Sequence, residues 1–145
     1  MKTKKNYFLL SLVVLLFAAC STSKKTEVVP KKITGMDWKL VSVRANSASP
    51  VISPVESVVA TLRFADDEKS VSGTTGCNRF NGPITKNGNQ ITFGSIAATR
   101  MFCEQSMDLE NAFMQAFKNA NSISLQGDML YIESGSDVLM TFTSK

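Results

Sequence analysis

The chain contains no histidine. That absence removes the side chain whose charge changes near neutral pH, and with it the Ser-His and Cys-His nucleophile pairs and the imidazole ligands of zinc sites. Cysteine is scarce, with three in 145 residues, and no two of them stand as Cys-x-x-Cys, the spacing of a dithiol redox motif. Nor is there an apolar run long enough to cross a bilayer. The run from Tyr7 to Ala19 measures roughly 20 Å as a helix at about 1.5 Å per residue, against a hydrocarbon core of about 30 Å. Asp66-Asp67-Glu68 lacks the alternate acidic spacing and central glycine of a calcium loop and reads as a solvated turn. Serines and lysines are plentiful, but no spacing singles out a Ser-Lys pair. Neither a catalytic residue nor a cofactor nor a metal is expected.

What the chain does have begins at its start. Lys2, Lys4 and Lys5 precede the apolar run, which closes on Ala18-Ala19-Cys20. The order basic, apolar, small, Cys resembles a bacterial lipoprotein signal peptide, with residues 1–19 as the leader, cleavage before Cys20, and diacylglycerol on its sulfur. Each buried methylene of an acyl chain contributes about 0.8 kcal/mol, and two or more chains hold stably, so the membrane is an expected partner through acylated Cys20. Residues 20–32 are rich in Ser, Thr and Lys, the composition of a flexible tether. Ser21 and Thr22 carry no aspartate of the kind that marks inner-membrane retention in some bacteria. The expected location is the periplasmic face of the outer membrane.

The net charge of +4 suggests a binder of nucleic acid until the charges are placed. Three lysines fall in the leader, and Lys24, Lys25, Lys31 and Lys32 in the tether. From Ile33 onward nine Lys and Arg face eleven Asp and Glu, so the domain is slightly acidic and no nucleic-acid partner is expected. Residues 33–145 suffice for one compact domain burying roughly 65% of its unfolded surface.

With Cys20 committed to lipid, Cys77 and Cys103 remain as an even pair in an oxidising compartment, where a disulfide is the default. Closing the loop between them stabilises a fold by roughly 3.5 kcal/mol on the chain-entropy account. A reversible thiol pair is the alternative, because Arg79 and Arg100 lie close enough in sequence to lower the pKa of a free thiol.

Along the domain, Trp38 to Val43 reads as a first strand and Ala60, Leu62, Phe64 as a second, alternating with period two. Pro50 and Pro54 make the connection between them irregular. Asn87-Gly88 signals a hairpin ahead of Ile91 and Phe93. Leu109, Phe113, Ala116, Phe117 and Ala120 recur at helical spacing, with Ser106 as N-cap and Asp108 and Glu110 complementing the dipole. A meander closes the chain: Ile123 to Leu125, Leu130 to Ile132, and Val138 to Phe142, broken by Gly127-Asp128 and Ser134-Gly135. The fold class is α+β, a curved antiparallel sheet or partly open barrel of about seven short strands with one helix packed against it. Phe80, Met101, Phe102, Met107, Phe113, Met114 and Phe117 read as core, with a soft ligand-binding lining as the alternative.

One constellation is specific. Gly73, Gly76, Cys77, Asn78, Phe80 and Gly82 precede Thr99, Met101 and Cys103, and Glu110 and Phe113 follow on the helix. The pairing of Gly-Cys-Asn-x-aromatic-x-Gly with Thr-x-Met-x-Cys resembles the META domain, or HslJ-like, family, across roughly Gly35 to Thr143. Glu104 stands where that family often has proline, and Pro83 where an aromatic or polar residue is usual. The resemblance implies a small α+β domain, secreted or lipid-anchored, associated with envelope or heat stress, with no known catalytic activity. From the residues themselves, Asn78 is expected to occupy a tight or left-handed turn and to bond neighbouring backbone.

The expected function is therefore that of a non-enzymatic, lipid-anchored periplasmic accessory acting through contact with an envelope protein. The alternatives are a carrier of a lipid or apolar peptide in the mouth of the sheet, and a thiol-disulfide sensor.

Overall fold

The computed structural model describes residues 32–145. The expected leader (1–19), Cys20, and the expected tether (20–32) apart from Lys32 lie outside the described residues. The elements are β1 (Trp38–Val43), β2 (Ala60–Phe64), β3 (Ser70–Thr75), β4 (Arg79–Asn87), β5 (Gln90–Phe93), β6 (Ala97–Ala98), a 3-10 turn (Glu104–Ser106), α1 (Met107–Asn119), β7 (Ser122–Gln126), β8 (Met129–Ser134) and β9 (Asp137–Thr143).

Every strand pairing is antiparallel, in the order β3-β2-β1-β9-β8-β7-β5-β4. Because β3 also pairs with β4, from Ser70 opposite Pro83 to Thr74 opposite Arg79, the sheet closes into an eight-stranded barrel. The expected fold class holds, and the sheet goes further than expected by closing. Short β6 flanks β4 at Phe80 and Asn81. One junction is thin: β5 meets β7 at a single registered pair, Gln90 opposite Ser122.

Period-two alternation explains the interior. Ala60, Leu62 and Phe64 are buried while Arg63 is exposed, since successive strand side chains point to opposite faces. A barrel of about eight strands is just wide enough for side chains to fill. Trp38, Leu62, Phe64, Ile91, Leu130, Ile132, Met140 and Phe142 fill this one. The hairpin loops Gly88-Asn89, Gly127-Asp128 and Gly135-Ser136 each begin with a glycine at positive φ, as two-residue connections between right-twisting strands demand. The first of these sits one residue later than the expected Asn87-Gly88 turn.

Up-and-down connectivity puts the β3–β4 and β8–β9 turns at one end of the barrel and the β2–β3, β4–β5 and β7–β8 turns at the other. Helix α1 closes the first end. It buries Leu109, Phe113, Ala116 and Phe117 of the expected stripe and Ala112 in addition, while Ala120 is buried just past the helix as its C-cap. Phe113 lies 5.4 Å from Phe80 and 5.9 Å from Phe142 between ring centroids, and Phe117 lies 4.5 Å from Phe93. Such ring pairs add about 0.5–1.5 kcal/mol each beyond the area they bury. Ser106 does occupy the N-cap, but its hydroxyl donates to the Cys103 carbonyl at 3.3 Å instead of capping the helix. Asn119 Nδ2 donates to the Ala45 carbonyl at 2.7 Å, fixing the other end of α1 to the loop after β1.

The second end is crossed by the start of the described chain. The buried Trp38 indole donates to the Ile33 carbonyl at 2.8 Å, and Thr34 bridges to Phe64 in parallel. This strap is light compared with a helix.

Candidate functional site

The motif residues converge at the helix end, around Asn78. Asn78 is 1% exposed, and an amide so placed has two donors and two acceptor positions to satisfy. All four are used. Nδ2 donates to the Met101 carbonyl at 3.0 Å and to Glu110 Oε2 at 2.7 Å. Oδ1 accepts from the Met101 N–H at 2.7 Å and from the Thr99 hydroxyl at 2.8 Å. The side chain thus imitates a neighbouring strand for Met101 while reaching into the first turn of α1.

Thr75, fully buried at the end of β3, extends the network. Its hydroxyl lies 2.8 Å from Glu110 Oε2, where a carboxylate can only accept, and it accepts from the Asn78 N–H at 3.3 Å. The Thr75 N–H closes the β3–β4 turn onto the Asn78 carbonyl at 2.9 Å. On the far side, Thr99 Oγ1 accepts from the Arg79 N–H at 3.1 Å, and the Thr99 N–H donates to the Arg79 carbonyl at 3.0 Å. Three separate pieces of chain meet on one amide.

The glycines permit the approach. A Cβ on Gly73 would run into the Thr61 carbonyl of β2, and one on Gly82 would meet Ile96 Cδ1 at 2.5 Å. Gly76 carries the left-handed backbone of the β3–β4 turn (φ 98°), while Asn78 is not among the positive-φ residues. The expected left-handed turn is therefore displaced by two residues, and Asn78 contributes its side chain instead. Cys77 and Cys103 are joined, with Cα atoms 6.0 Å apart across 26 sequence positions. The bond ties the same turn to the approach of α1.

Phe80 and Phe113 are buried beneath this network, as expected, along with Phe117. Met107 and Met114 are half-buried. Met101 and Phe102 are not core, contrary to the reading from composition: they are 57% and 80% exposed. Asn78 holds the Met101 backbone and the disulfide holds Cys103, and on the segment so tied the Met101 and Phe102 side chains face solvent. Arg79 and Arg100 are exposed, and no hydrogen bond or ion pair reaches either guanidinium among the described residues.

Two elements here escaped the sequence reading. Thr75 looked like one hydroxyl among many, and the exposure of Phe102 carries no signal in hydrophobicity. The tight paired motif around Asn78 was the one available clue.

Chemically, the network holds and does not poise. Its donors and acceptors are spent on one another, and its one hydroxyl set beside a carboxylate, Thr75 Oγ1 on Glu110 Oε2, belongs to a fully buried residue. No group of three Cys, Asp or Glu among the described residues is arranged to hold a metal ion.

The far end is different in character. A surface groove of about 340 Å³ is lined by Ile33, Ile123, Leu125 and Leu130, with Lys32, Lys86 and Glu68 among its polar residues. Lys86 Nζ meets Glu68 Oε2 at 3.0 Å, and Glu68 has a left-handed backbone (φ 53°), a conformation costly for a residue with a Cβ. Nearby, Lys145 Nζ lies 2.8 Å from Asp128 Oδ2. The hydrogen bond that Lys145 donates to Asp128, and secondarily the charge of that carboxylate, hold the Lys145 pKa above its ordinary value.

Comparison with known proteins matches the META domain family model to residues 31–145. Heat shock protein HslJ of Escherichia coli (strain K12) is 26% identical over 127 residues, covering 86% of each chain. Among solved structures, an NMR structure of a Burkholderia xenovorans protein superposes with a TM-score of 0.62 at 18% identity, over 78% of this chain and 83% of that one. A second NMR structure gives a TM-score of 0.57 at 24% identity, over 77% and 91%. These two likenesses concern the fold.

Proposed function

The chain belongs to the META domain family, and from that premise we propose that it is a non-enzymatic, lipid-anchored accessory of the bacterial cell envelope that works by holding and touching other proteins. The observation that carries this reading is the saturation of the motif's centre: every polar position of the Asn78 amide is filled from within the chain, which suits a rigid platform better than a group poised for turnover. The leader pattern ending at Cys20 supports an anchor on the periplasmic face of the outer membrane. The name of the Escherichia coli relative, a heat shock protein, supports a role under stress.

The test has two arms. Mass spectrometry of the protein from intact membranes is expected to find a mature N-terminus at Cys20 bearing diacylglycerol. Crosslinking in those membranes is expected to yield defined envelope partners for the wild type and to lose them for Cys20→Ala. An unprocessed or unlipidated N-terminus, or an unchanged partner set without the anchor, removes this reading.

A carrier role has one observation in its favour, the far-end groove with its apolar floor and two lysines. Native mass spectrometry of protein purified from its own membranes is expected to retain a lipid adduct on that account. Wild-type protein free of any adduct rejects it.

A further inference from the structure

The segment Arg100-Met101-Phe102-Cys103-Glu104 has a symmetry of charge about an exposed aromatic. Phe102 stands 80% exposed. Arg100 lies two residues before it and Glu104 two after, both exposed, and among the described residues neither side chain has a hydrogen-bonded or ionic partner. Cys103 is extended (φ −133°, ψ 96°), so its two neighbours Phe102 and Glu104 share a face. The backbone on either side is fixed, by Asn78 at Met101 and by the disulfide at Cys103.

An exposed aromatic normally gives up roughly 1.5–3 kcal/mol that burial would return. Here it is also pre-ordered, so that little conformational freedom is left to lose on docking. A surface of this kind is what binding hot spots are made from.

We propose that this face is an isologous contact between two copies of the chain. In a two-fold arrangement centred on Phe102, the two segments run antiparallel, the rings meet at the axis, and Arg100 of each copy faces Glu104 of the other. Self-complementarity of this sort is what a two-fold interface requires. The charge pattern favours a second copy over other occupants. An anionic lipid surface suits Arg100 but is repelled by Glu104, whereas a second copy satisfies both. Met101, 57% exposed, adds to the apolar area. The contact does not depend on the proposed envelope role or on the anchor, although confinement on a membrane would raise the local concentration that drives it.

The experiment is sedimentation equilibrium on the purified mature chain carrying Cys20→Ser, so that neither lipid nor a spare thiol links two copies. A concentration-dependent dimer is expected below about 1 mM, the weak range proper to a small interface. Phe102→Ser is expected to abolish it while leaving thermal unfolding unchanged, since the ring is outside the core. Arg100→Glu and Glu104→Arg are each expected to weaken the dimer by about tenfold or more, and the double reversal to restore it to within about threefold.

A protein that stays monomeric to about 1 mM overturns the proposal, as does a dimer that survives Phe102→Ser or a double reversal that restores nothing. Vesicles of phosphatidylethanolamine and phosphatidylglycerol complete the test. A monomer that binds them through Phe102 assigns the face to lipid and likewise overturns the dimer. Because these measurements use unanchored protein, they fail or succeed separately from the test of the envelope role.

Discussion

The two ends of this barrel are closed by different means. At the helix end, α1 lays Phe113 and Phe117 over the barrel, and above them a saturated polar network and a disulfide join β3, β4, the 99–103 segment and the helix. At the other end a short strap held by the Trp38 indole crosses beside an open groove and a strained Glu68. Polar groups that are all paired in a dry setting strengthen one another, whereas the strap is tied by separate contacts, the indole bond, the Thr34–Phe64 bridge and an exposed Lys32–Asp66 pair, each contributing only the net value of one exchange with water. The contrast teaches that the family motif is the architecture of one end and that stability is distributed unevenly between the two.

The largest effect is expected from Asn78→Ala. It strands the Met101 N–H and carbonyl and takes one of two donors from Glu110 Oε2, which keeps the Thr75 hydroxyl, and urea unfolding should show a loss of about 4 kcal/mol. Asn78→Asp sharpens the point, because it sets a second carboxylate against Glu110 Oε2. Although the side chain keeps its size, a destabilisation comparable to that of Asn78→Ala is expected by urea unfolding, since like charges then meet where a donor stood, and near-wild-type stability would contradict the geometry.

Reduction of the Cys77–Cys103 bond comes next, at about 3.5 kcal/mol from the released loop, measurable as a lower thermal midpoint in dithiothreitol. At the far end, Trp38→Phe removes the indole donor and leaves the ring in place, so a loss of only about 1–2 kcal/mol is expected by urea unfolding. A loss as large as that of Asn78→Ala would erase the contrast between the ends. The smallest effect belongs to Glu68→Gly. Relief of the left-handed backbone offsets the lost Lys86 pair, and chemical denaturation should register a change within about 1 kcal/mol of zero.

The sequence was legible wherever periodicity reports burial. The alternation of Ala60, Leu62 and Phe64 and the stripe on α1 follow from which residues must leave water. Closure was not legible in that way. It depends on β3 pairing with β4 across the tight Gly76 turn, and the strand pattern of an open sheet is the same. The motif itself stood out as an unusual cluster of glycines, Asn78 and two cysteines, but the pattern gives no sign that Glu110 and Thr75 point at that amide, because helix spacing marks only the apolar stripe. Met101 and Phe102 were misread for a related reason. Composition ranks them as core, and their exposure goes with two constraints on the backbone, at Met101 and Cys103, that hydrophobicity does not report.

The thin junction between β5 and β7 has a consequence of its own. A closed barrel offers no free strand rim to a neighbour, which protects crowded molecules from edge-to-edge accretion. With one registered pair and the flanking bonds Ile91 N–H to Asn121 O and Ile123 N–H to Asn89 O, this is where the ring would unzip at least cost. Deuterium should reach the amides of Ile91 and Ile123 well before those of β8, and any domain-swapped species should form by parting there.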